Sequence, residues 1–423
     1  MADTIESESF IRRFSTEQAF VRERKLKFVY LVVIIIQGVT RSIQRELNTF
    51  YQKVKGGDFA IQEVTKSAFT HARKKLKWEA FQHLNKVGCD SFYQEAPYKT
   101  WNGFRLLAID GSTLVLPNHR SIEKEFGSVA MGPNGDIPKP IVHISMLYDV
   151  LNFVTLDAQI DRFDVPEREL AKRHMAEIKP GQDLLIMDRG YSGFPLAFEL
   201  QQEGIDYCIR GREDWWPEVR EMLKDGECDK IVTIKKNQQF EIFPKMRLFY
   251  DELTVRIVVV TLPNDGTEVL ITSLLDQEKA PFEAFVDLYK MRWNIEEAYK
   301  LYKTRLQLEA WSGKTALAVK QDFYAKVFIM TTTAVLAFPL EEQLRKEQEA
   351  ERTTKHAYKV NRTNALAIVK ESAPKMFIHK PIAGVLSAFD TILKKTVEVV
   401  RPNRKNPRKK GPKKPPSMNY KQL

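Results

Sequence analysis

The spacing of apolar and polar positions changes several times along this chain, and each change marks a predicted structural region. From about residue 10 to 95 the apolar positions recur with a helical period, which is broken at Gly56-Gly57. From Phe104 to Gly211 short apolar runs typical of strands alternate with short helical stretches. From about residue 317 to 399 the helical period returns. The pattern predicts an α/β region between two helical regions.

The α/β region contains three successive predicted strands, then alternating helices and strands. The predicted strands are Arg105 to Leu116, Ile141 to Val150, Phe153 to Ile160, the run before Asp188, and Asp206 to Arg210. Helices are predicted after Pro166 and from Pro195 to Gln202. A second group of predicted strands follows: Ile231 to Ile234, Phe240 to Phe243, Leu253 to Leu262 and Val269 to Leu274, with a hairpin turn at Asn264-Asp265-Gly266. This second group predicts a β-rich insertion.

Two aspartates stand at the carboxyl ends of buried apolar runs. Asp110 follows Leu106 to Ile109, and Asp188 follows Leu184 to Met187. Each aspartate taken alone is better explained as the start of a turn, because Gly111 and Gly190 lie beside them.

A third acidic residue lies in a predicted helix with an unusual pattern. Tyr289, Arg292, Glu296 and Lys303 are three, four and seven positions apart, with Trp293 and Lys300 flanking them. At about 100° per residue these four share one helix face within roughly a 60° arc. A solvated amphipathic helix with favourable ion pairs is the alternative interpretation. Glu297 is the rival acid, but it points away from Arg292 and Lys303.

Three carboxylates brought together by two strand ends and one helix repel one another unless a cation neutralises them. Oxygen ligands favour a hard divalent metal ion. We therefore predict that Asp110, Asp188 and Glu296 are catalytic residues that bind two Mg²⁺ or Mn²⁺ ions.

The segments Asp110-Gly-Ser-Thr and Asp188-Arg-Gly-Tyr191, followed by the helix with Tyr289, Arg292, Glu296 and Lys303, resemble the DDE transposases of bacterial insertion sequences. The likeness is to the subgroup named for its YREK helix, and it spans most of the chain. It implies an α/β fold: a ribonuclease-H-like mixed sheet with helices, interrupted by a β-rich insertion, plus an N-terminal helical domain. The expected divisions are a DNA-binding domain (1–98), a catalytic core in two parts (99–212 and 280–400), the insertion (213–279) and a basic disordered tail (401–423).

The resemblance also implies the chemistry. Water would cut at the transposon end, and the resulting 3′ hydroxyl would attack target DNA. The resemblance leaves two routes: direct attack, or prior closure of a hairpin on the opposite strand. Arg292 and Lys303 would hold phosphates while Tyr289 orients the backbone or the helix, and Lys300 and Trp293 are further DNA-binding candidates. The implied partners are the terminal inverted repeats and target DNA, bound by a homodimer on paired ends. The implied location is the bacterial cytoplasm, at the nucleoid and away from membranes.

Further DNA contacts are predicted outside the signature helix. Arg73, Lys74 and Lys75 form a basic cluster on an N-terminal helix that suits phosphate binding, although a solvated helix face is the alternative. Further phosphate-binding candidates are Arg210 and Arg212, just before the insertion, and Lys235 and Lys236 within it. Trp215 and Trp216 are candidates for stacking on a base, against core packing as the alternative.

Composition agrees with a polyanionic partner and argues against a zinc hydrolase, a cysteine-based metal or redox protein and a membrane-spanning protein. The chain has 423 residues, a formal net charge of +11 and 43% hydrophobic residues. Residues 401–421 contain nine Lys or Arg and no acid, which suits nonspecific DNA attachment. The three cysteines form no metal or redox motif, and the scattered histidines argue against a zinc hydrolase. The apolar run from Phe28 to Ile36 is too short to span a bilayer and predicts a core helix.

Two alternative functions stay open at this point. One is a metal-dependent nuclease on the same fold that cleaves without joining. The other is a DNA-binding derivative of a transposase that no longer catalyses a reaction.

Overall fold

The computed structural model describes residues 1–22, 24–130, 138–235, 252–261, 266–350, 357–378 and 382–400. The helices are α1 (Ala2–Glu6), α2 (Glu8–Phe14), α3 (Phe28–Gln37), α4 (Ile43–Lys55), α5 (Lys66–Arg73), α6 (Glu79–Glu95), α7 (Arg120–Phe126), α8 (Glu167–Arg173), α9 (Phe194–Gln202), α10 (Pro217–Asp225), α11 (Ala284–Met291), α12 (Trp293–Thr304), α13 (Ala316–Ala350), α14 (Arg362–Phe377) and α15 (Ala383–Lys395). The strands are β1 (Arg105–Val115), β2 (Ile141–Asp149), β3 (Val154–Arg162), β4 (Asp183–Met187), β5 (Asp206–Arg210), β6 (Asp229–Lys235), β7 (Glu252–Thr261), β8 (Thr267–Thr272), β9 (Tyr358–Lys359) and β10 (Glu398–Val399).

The central sheet has the strand order β3-β2-β1-β4-β5-β8-β7-β6. Strands β1, β2 and β3 are antiparallel neighbours, whereas β4 and β5 run parallel to β1. Short turns suffice between antiparallel strands, while parallel pairing needs crossovers, which α8 and α9 provide. This mixed sheet with helices confirms the predicted α/β, ribonuclease-H-like class.

The β-rich insertion continues the same sheet instead of forming a separate one. Strand β8 pairs antiparallel with β5, β7 with β8, and β6 with β7. The insertion also contains a helix, α10, that the sequence pattern did not predict. The predicted strand Phe240 to Phe243 and the first two residues of the turn at Asn264 lie outside the described residues.

Alternating side chains of each strand pack on the two faces of the sheet, as the period of two requires. In β1, Leu106 and Ala108 belong to one apolar cluster, and Leu107 and Ile109 to the other. The first cluster also takes in side chains of the N-terminal helices, among them all of the buried apolar residues of α3. The prediction that Phe28 to Ile36 form a core helix is therefore confirmed.

Helix α13 lies at the centre of this first cluster. It packs against α6, α14, β3 and α3. Among the described helices it alone is long and apolar enough to cross a membrane, and 78% of its most apolar stretch is buried inside the fold. That burial is what a core helix requires. The division at residues 98 and 99 stays a prediction, and the basic tail lies beyond the described part of the chain.

Candidate active site

Parallel pairing of β1 and β4 places the first two carboxylates next to each other. The register ends with Ile109 opposite Met187, so Asp110 and Asp188 follow at the same end of adjacent strands. Strand β1 continues past Asp110, because β2 pairs with it as far as Val115. Asp110 therefore lies within a strand and does not start a turn, whereas Asp188 begins the loop after β4.

Local hydrogen bonds and burial define the state of these two aspartates. The Gly111 N–H donates to Oδ1 of Asp110 at 2.9 Å, and the Gly190 N–H donates to Oδ1 of Asp188 at 2.8 Å. Burial raises the pKa of Asp110 to about 7, and the negative charges of Asp188 and Glu296 act in the same direction. The Gly111 hydrogen bond and the positive charge of Arg292 oppose this rise without cancelling it.

The signature helix is two helices that meet at Arg292, and not the single helix that the spacing predicted. Helix α11 ends at Met291 and α12 begins at Trp293. The hydrogen bonds around the junction tighten to a three-residue spacing, from Arg292 N–H to Tyr289 O and from Ile295 N–H to Arg292 O, both at 3.1 Å. Arg292 keeps helical backbone angles, so the chain changes its winding without a sharp turn.

Arg292 holds Glu296 from this junction. Its guanidinium donates from Nη2 to Oε1 of Glu296 at 2.8 Å and lies 5.5 Å from the ring centres of both Tyr289 and Trp293. Arg292 is only 5% exposed, whereas Trp293 is 43% exposed. The Tyr289 ring is buried, and among the described groups its hydroxyl has no hydrogen-bond partner. Tyr289 thus supports Arg292, which in turn fixes one carboxylate oxygen of Glu296.

Helix α12 is attached to β1, the strand that carries Asp110, by two side chains. The Tyr299 hydroxyl donates to the Asp110 carbonyl oxygen at 2.8 Å. Nζ of Lys303 donates to Oγ of Ser112 at 2.6 Å, and burial lowers the pKa of this lysine. Tyr299 was missed by sequence reasoning, because nothing in its spacing distinguishes it from an ordinary core residue.

Lys300 lies on the exposed side of α12 and pairs with Glu297. That pairing agrees with the assignment of Glu297 to the solvent face, one position beyond the residue that Arg292 holds.

The three predicted carboxylates are neighbours, but they do not form a closed ligand cage. Asp110 and Asp188 are adjacent, and Glu296 is near enough for its charge to act on Asp110. No group of three or more His, Cys, Asp or Glu residues within the described ranges is close enough to hold a metal ion. The donors are all carboxylate oxygens, and burial, with a smaller contribution from the charges of Asp188 and Glu296, raises the pKa of Asp110. A bound cation would offset both effects by stabilising the ionised carboxylate. These residues fit a hard divalent ion such as Mg²⁺ or Mn²⁺.

Arg73, one of the predicted phosphate contacts, is buried and fully engaged. Its guanidinium donates to Gln321, Ser312, Asp322 and the Ala318 carbonyl oxygen, and its ion pair with Asp322 measures 2.6 Å. The prediction for Arg73 is corrected: its charge is neutralised by α13 and is not available to DNA. The neighbouring Lys74 and Lys75 are exposed, as a phosphate contact requires.

The tryptophan pair is corrected in part. Trp216 is 1% exposed, so its ring is part of the core and cannot receive a base. Trp215 stacks on it with ring centres 4.2 Å apart and stays partly exposed.

The two arginines predicted to hold phosphates in this region both have acidic partners. Arg210 pairs with Glu268 at 3.1 Å, and Arg212 pairs with Asp214 at 2.7 Å. Lys235 is exposed at the end of β6, whereas Lys236 lies outside the described residues.

Residues 101–332 match the family model for the transposase DDE domain. The chain is 27% identical over 246 residues to the transposase InsG for insertion sequence element IS4 of Escherichia coli (strain K12), an alignment that covers 58% of this chain and 54% of that protein. It is 20% identical over 401 residues to the transposase for insertion sequence element IS231E of Bacillus thuringiensis subsp. finitimus, with 81% and 80% covered.

Among solved structures, the piggyBac transposase synaptic complex with hairpin DNA aligns at a TM-score of 0.46 and 9% identity, with 93% of this chain and 84% of that chain covered. The alignment to the Escherichia coli protein spans only about half of that relative, but the family model covers more than half of this chain. The chain belongs to the family of DDE transposases of bacterial insertion sequences.

Proposed function

We propose that this protein binds the terminal inverted repeats of its insertion sequence, cuts the DNA there and joins the exposed 3′ hydroxyl to target DNA. The observation that carries this proposal is the placement of Asp110 beside Asp188, with Glu296 acting on Asp110 from α12. Membership of the DDE transposase family supports assigning both cleavage and joining to this arrangement, because in that family the same carboxylates serve both reactions.

Asp110, Asp188 and Glu296 would hold two divalent cations, which activate the attacking oxygen and stabilise the leaving oxygen when bound. The protein's own residues prepare the site for this. Arg292 holds the Glu296 carboxylate in place through its hydrogen bond to Oε1. Tyr299 fixes the distance between α12 and β1 through its hydrogen bond to the Asp110 carbonyl oxygen. Lys303, which lies beside Ser112, would offer its ammonium to a phosphate of the DNA end.

The terminal repeat would bind to a basic groove in the N-terminal region. This groove has a volume of about 950 Å³ and lies between the segment 18–26 and α5. Its basic lining residues are Arg22, Arg24, Lys25, His71 and Lys75. Positive side chains along a groove attract the phosphate backbone, whereas base reading needs the shorter polar side chains of α5, such as Ser67. Residues 1–98 would then serve as the DNA-binding domain.

The paired ends would be held by a protein dimer at the bacterial nucleoid. Lys300 and Trp293, exposed on α12, and Lys74, exposed after α5, would contribute contacts along the DNA path.

The test is cleavage and joining of labelled end DNA in the presence of Mg²⁺ or Mn²⁺ and a supercoiled target. Glu296→Gln should abolish cleavage and keep end binding, while the matched variant Glu297→Gln should retain both activities. Cleavage without joined products by the wild-type protein would favour a nuclease. End binding without either reaction would favour a DNA-binding derivative. Loss of cleavage in Glu297→Gln alone would reverse the assignment of the third carboxylate.

A further inference from the structure

A row of polar side chains runs along the central sheet from β3 to the loop that follows Asp188. Asp157 lies on β3, Ser145 lies on β2, and His174 directly follows α8. Nδ1 of His174 is 2.7 Å from Oδ2 of Asp157, and Nε2 is 3.0 Å from Oγ of Ser145. The fourth member is Tyr191, whose buried hydroxyl has the Ser145 side chain as its partner, at a looser geometry than that of a regular hydrogen bond. We call these four residues the polar row.

The aspartate, histidine and serine of the polar row have the order of a hydrolase triad, but burial excludes that chemistry. A serine nucleophile has to reach the reacting group of its substrate, and neither Ser145 nor His174 has any exposed surface. Any role of the row in the reaction therefore passes through Tyr191, the member that belongs to the Asp188 loop.

The hydrogen bonds of the polar row have a defined direction. An ionised Asp157 only accepts, so Nδ1 of His174 carries the proton, and in the neutral ring Nε2 then accepts. Ser145 donates its one proton to Nε2, which leaves its oxygen to accept from Tyr191. Burial raises the pKa of Tyr191, so its hydroxyl keeps the proton that it donates. Each donor of the row thus has one defined acceptor.

Tyr191 connects the polar row to the turn that begins at Asp188. Its N–H donates to the Asp188 carbonyl oxygen at 3.2 Å. Strand β1 lies between β2, which carries Ser145, and β4, which precedes the turn. Ser145 is opposite Gly111 in the register, so its contact with Tyr191 crosses β1 beside the residue that follows Asp110. The row therefore holds the turn at the level of Asp110.

We propose that His174 is a positioning residue of the reaction, which acts through Ser145 and Tyr191 to fix the turn that presents Asp188 beside Asp110. The proposal rests on the function proposed above, because it assumes that Asp188 acts in cleavage. It gives a role in the reaction to two buried residues that lie outside the three signature segments.

The experiment compares two amides at position 174 in the full-length protein. In His174→Asn the amide can replace Nδ1 and keep the contact with Asp157, whereas the longer side chain of His174→Gln reaches the position of Nε2 and can accept from Ser145. Amide hydrogen exchange of residues 190–192 in the metal-free protein measures how firmly the turn is held. We expect His174→Asn to speed this exchange by about five- to tenfold, the effect of one buried hydrogen bond, and His174→Gln to stay nearer to the wild type.

Smaller changes test the same row while His174 is kept. Tyr191→Phe and Ser145→Ala each remove one hydroxyl, and each should speed the exchange. The double variant should add little to either single variant, because both changes remove the same contact. Tyr207→Phe is the matched control, because Tyr207 is equally buried and within the described ranges its hydroxyl has no hydrogen-bond partner. This control should exchange residues 190–192 at the rate of the wild type.

Cleavage of end DNA links the turn to the reaction. In His174→Asn and Tyr191→Phe the Mn²⁺ concentration at half-maximal cleavage should rise by more than the rate at saturating Mn²⁺ falls, because Asp188 is ordered again once the ion is bound. Equal exchange in His174→Asn and His174→Gln, or unchanged exchange in Tyr191→Phe, would refute the proposal.

Two further outcomes separate this inference from the function proposed above. Faster exchange with an unchanged Mn²⁺ requirement would mean that the polar row has a structural role alone, and the inference would be overturned while the proposed function stands. A wild-type protein that cuts no end DNA would overturn the proposed function, whatever the exchange shows.

Discussion

Asp110→Asn should stabilise the metal-free protein, although it removes a residue that we place at the centre of the active site. The pKa of Asp110 is 3.8 in an unfolded chain and about 7 in the folded protein, because burial and two nearby carboxylates disfavour its charge. That difference corresponds to about 4 kcal/mol of folding free energy. Partial exposure of the side chain reduces the recoverable part to about 2–4 kcal/mol.

The pH dependence follows from the direction of this change. Because the folded pKa lies above the unfolded one, the stability associated with protonated Asp110 is fully present below about pH 4 and is lost as the pH rises through about 7. Asparagine is uncharged at every pH, so it avoids this loss. The advantage of Asp110→Asn should therefore be largest near pH 8 and fall to less than half of that near pH 5.

Urea unfolding in the presence of a chelator, at both pH values, measures this difference. Glu297→Gln is the control, because within the described ranges its exposed carboxylate pairs with Lys300 alone and its removal should change the unfolding free energy little. Addition of Mg²⁺ should stabilise the wild-type protein and leave Asp110→Asn almost unchanged. A variant that is less stable than the wild type near pH 8, or whose advantage is the same at both pH values, would contradict the view that the folded site opposes ionisation of Asp110.

Three further outcomes follow from burial and pairing. Arg73→Ala should cost about 3–5 kcal/mol in urea unfolding, because Asp322 would be left buried without its partner. Lys75→Ala, by contrast, should leave the unfolding free energy within about 0.5 kcal/mol and weaken end binding in a salt-dependent gel-shift assay; unchanged binding would remove this lysine from the DNA interface. Trp216→Ala should destabilise the fold by about 3–5 kcal/mol in the same unfolding assay, whereas Trp215→Ala should cost clearly less; equal costs would show that both rings are core.

Local patterns were sufficient to predict strands β1 and β4, which lead to Asp110 and Asp188. The apolar runs before Asp110 and Asp188 are long enough to be buried, and parallel strands bring their carboxyl ends to the same edge. The break between α11 and α12 at Arg292 could not be predicted, because residues on both sides have ordinary helical periodicity and the junction keeps helical angles.

Long-range pairing explains most of what sequence reasoning missed. The cluster from Arg73 to Lys75 has the composition of a solvent-exposed face. Only the fold shows that Arg73 forms a buried ion pair with Asp322, which lies 249 positions later in the chain. Pairing of β8 with β5, which joins the insertion to the catalytic sheet, is likewise not encoded in either strand alone.

The buried contact between Arg73 and Asp322 has a consequence for how such an element can diversify. Helix α5, which lines the basic groove, is anchored to α13 by hydrogen bonds from Arg73 to Gln321 and Asp322. Loss of either the arginine or its acidic partner would leave the other buried without its ion-pair partner. An N-terminal region taken from another transposase would have to supply both an arginine at this position and a matching surface for α13. On the role proposed for α5, recognition of new terminal repeats is more accessible through single substitutions on the exposed side of this helix than through exchange of the whole region. Related elements should then differ there while keeping the same anchor.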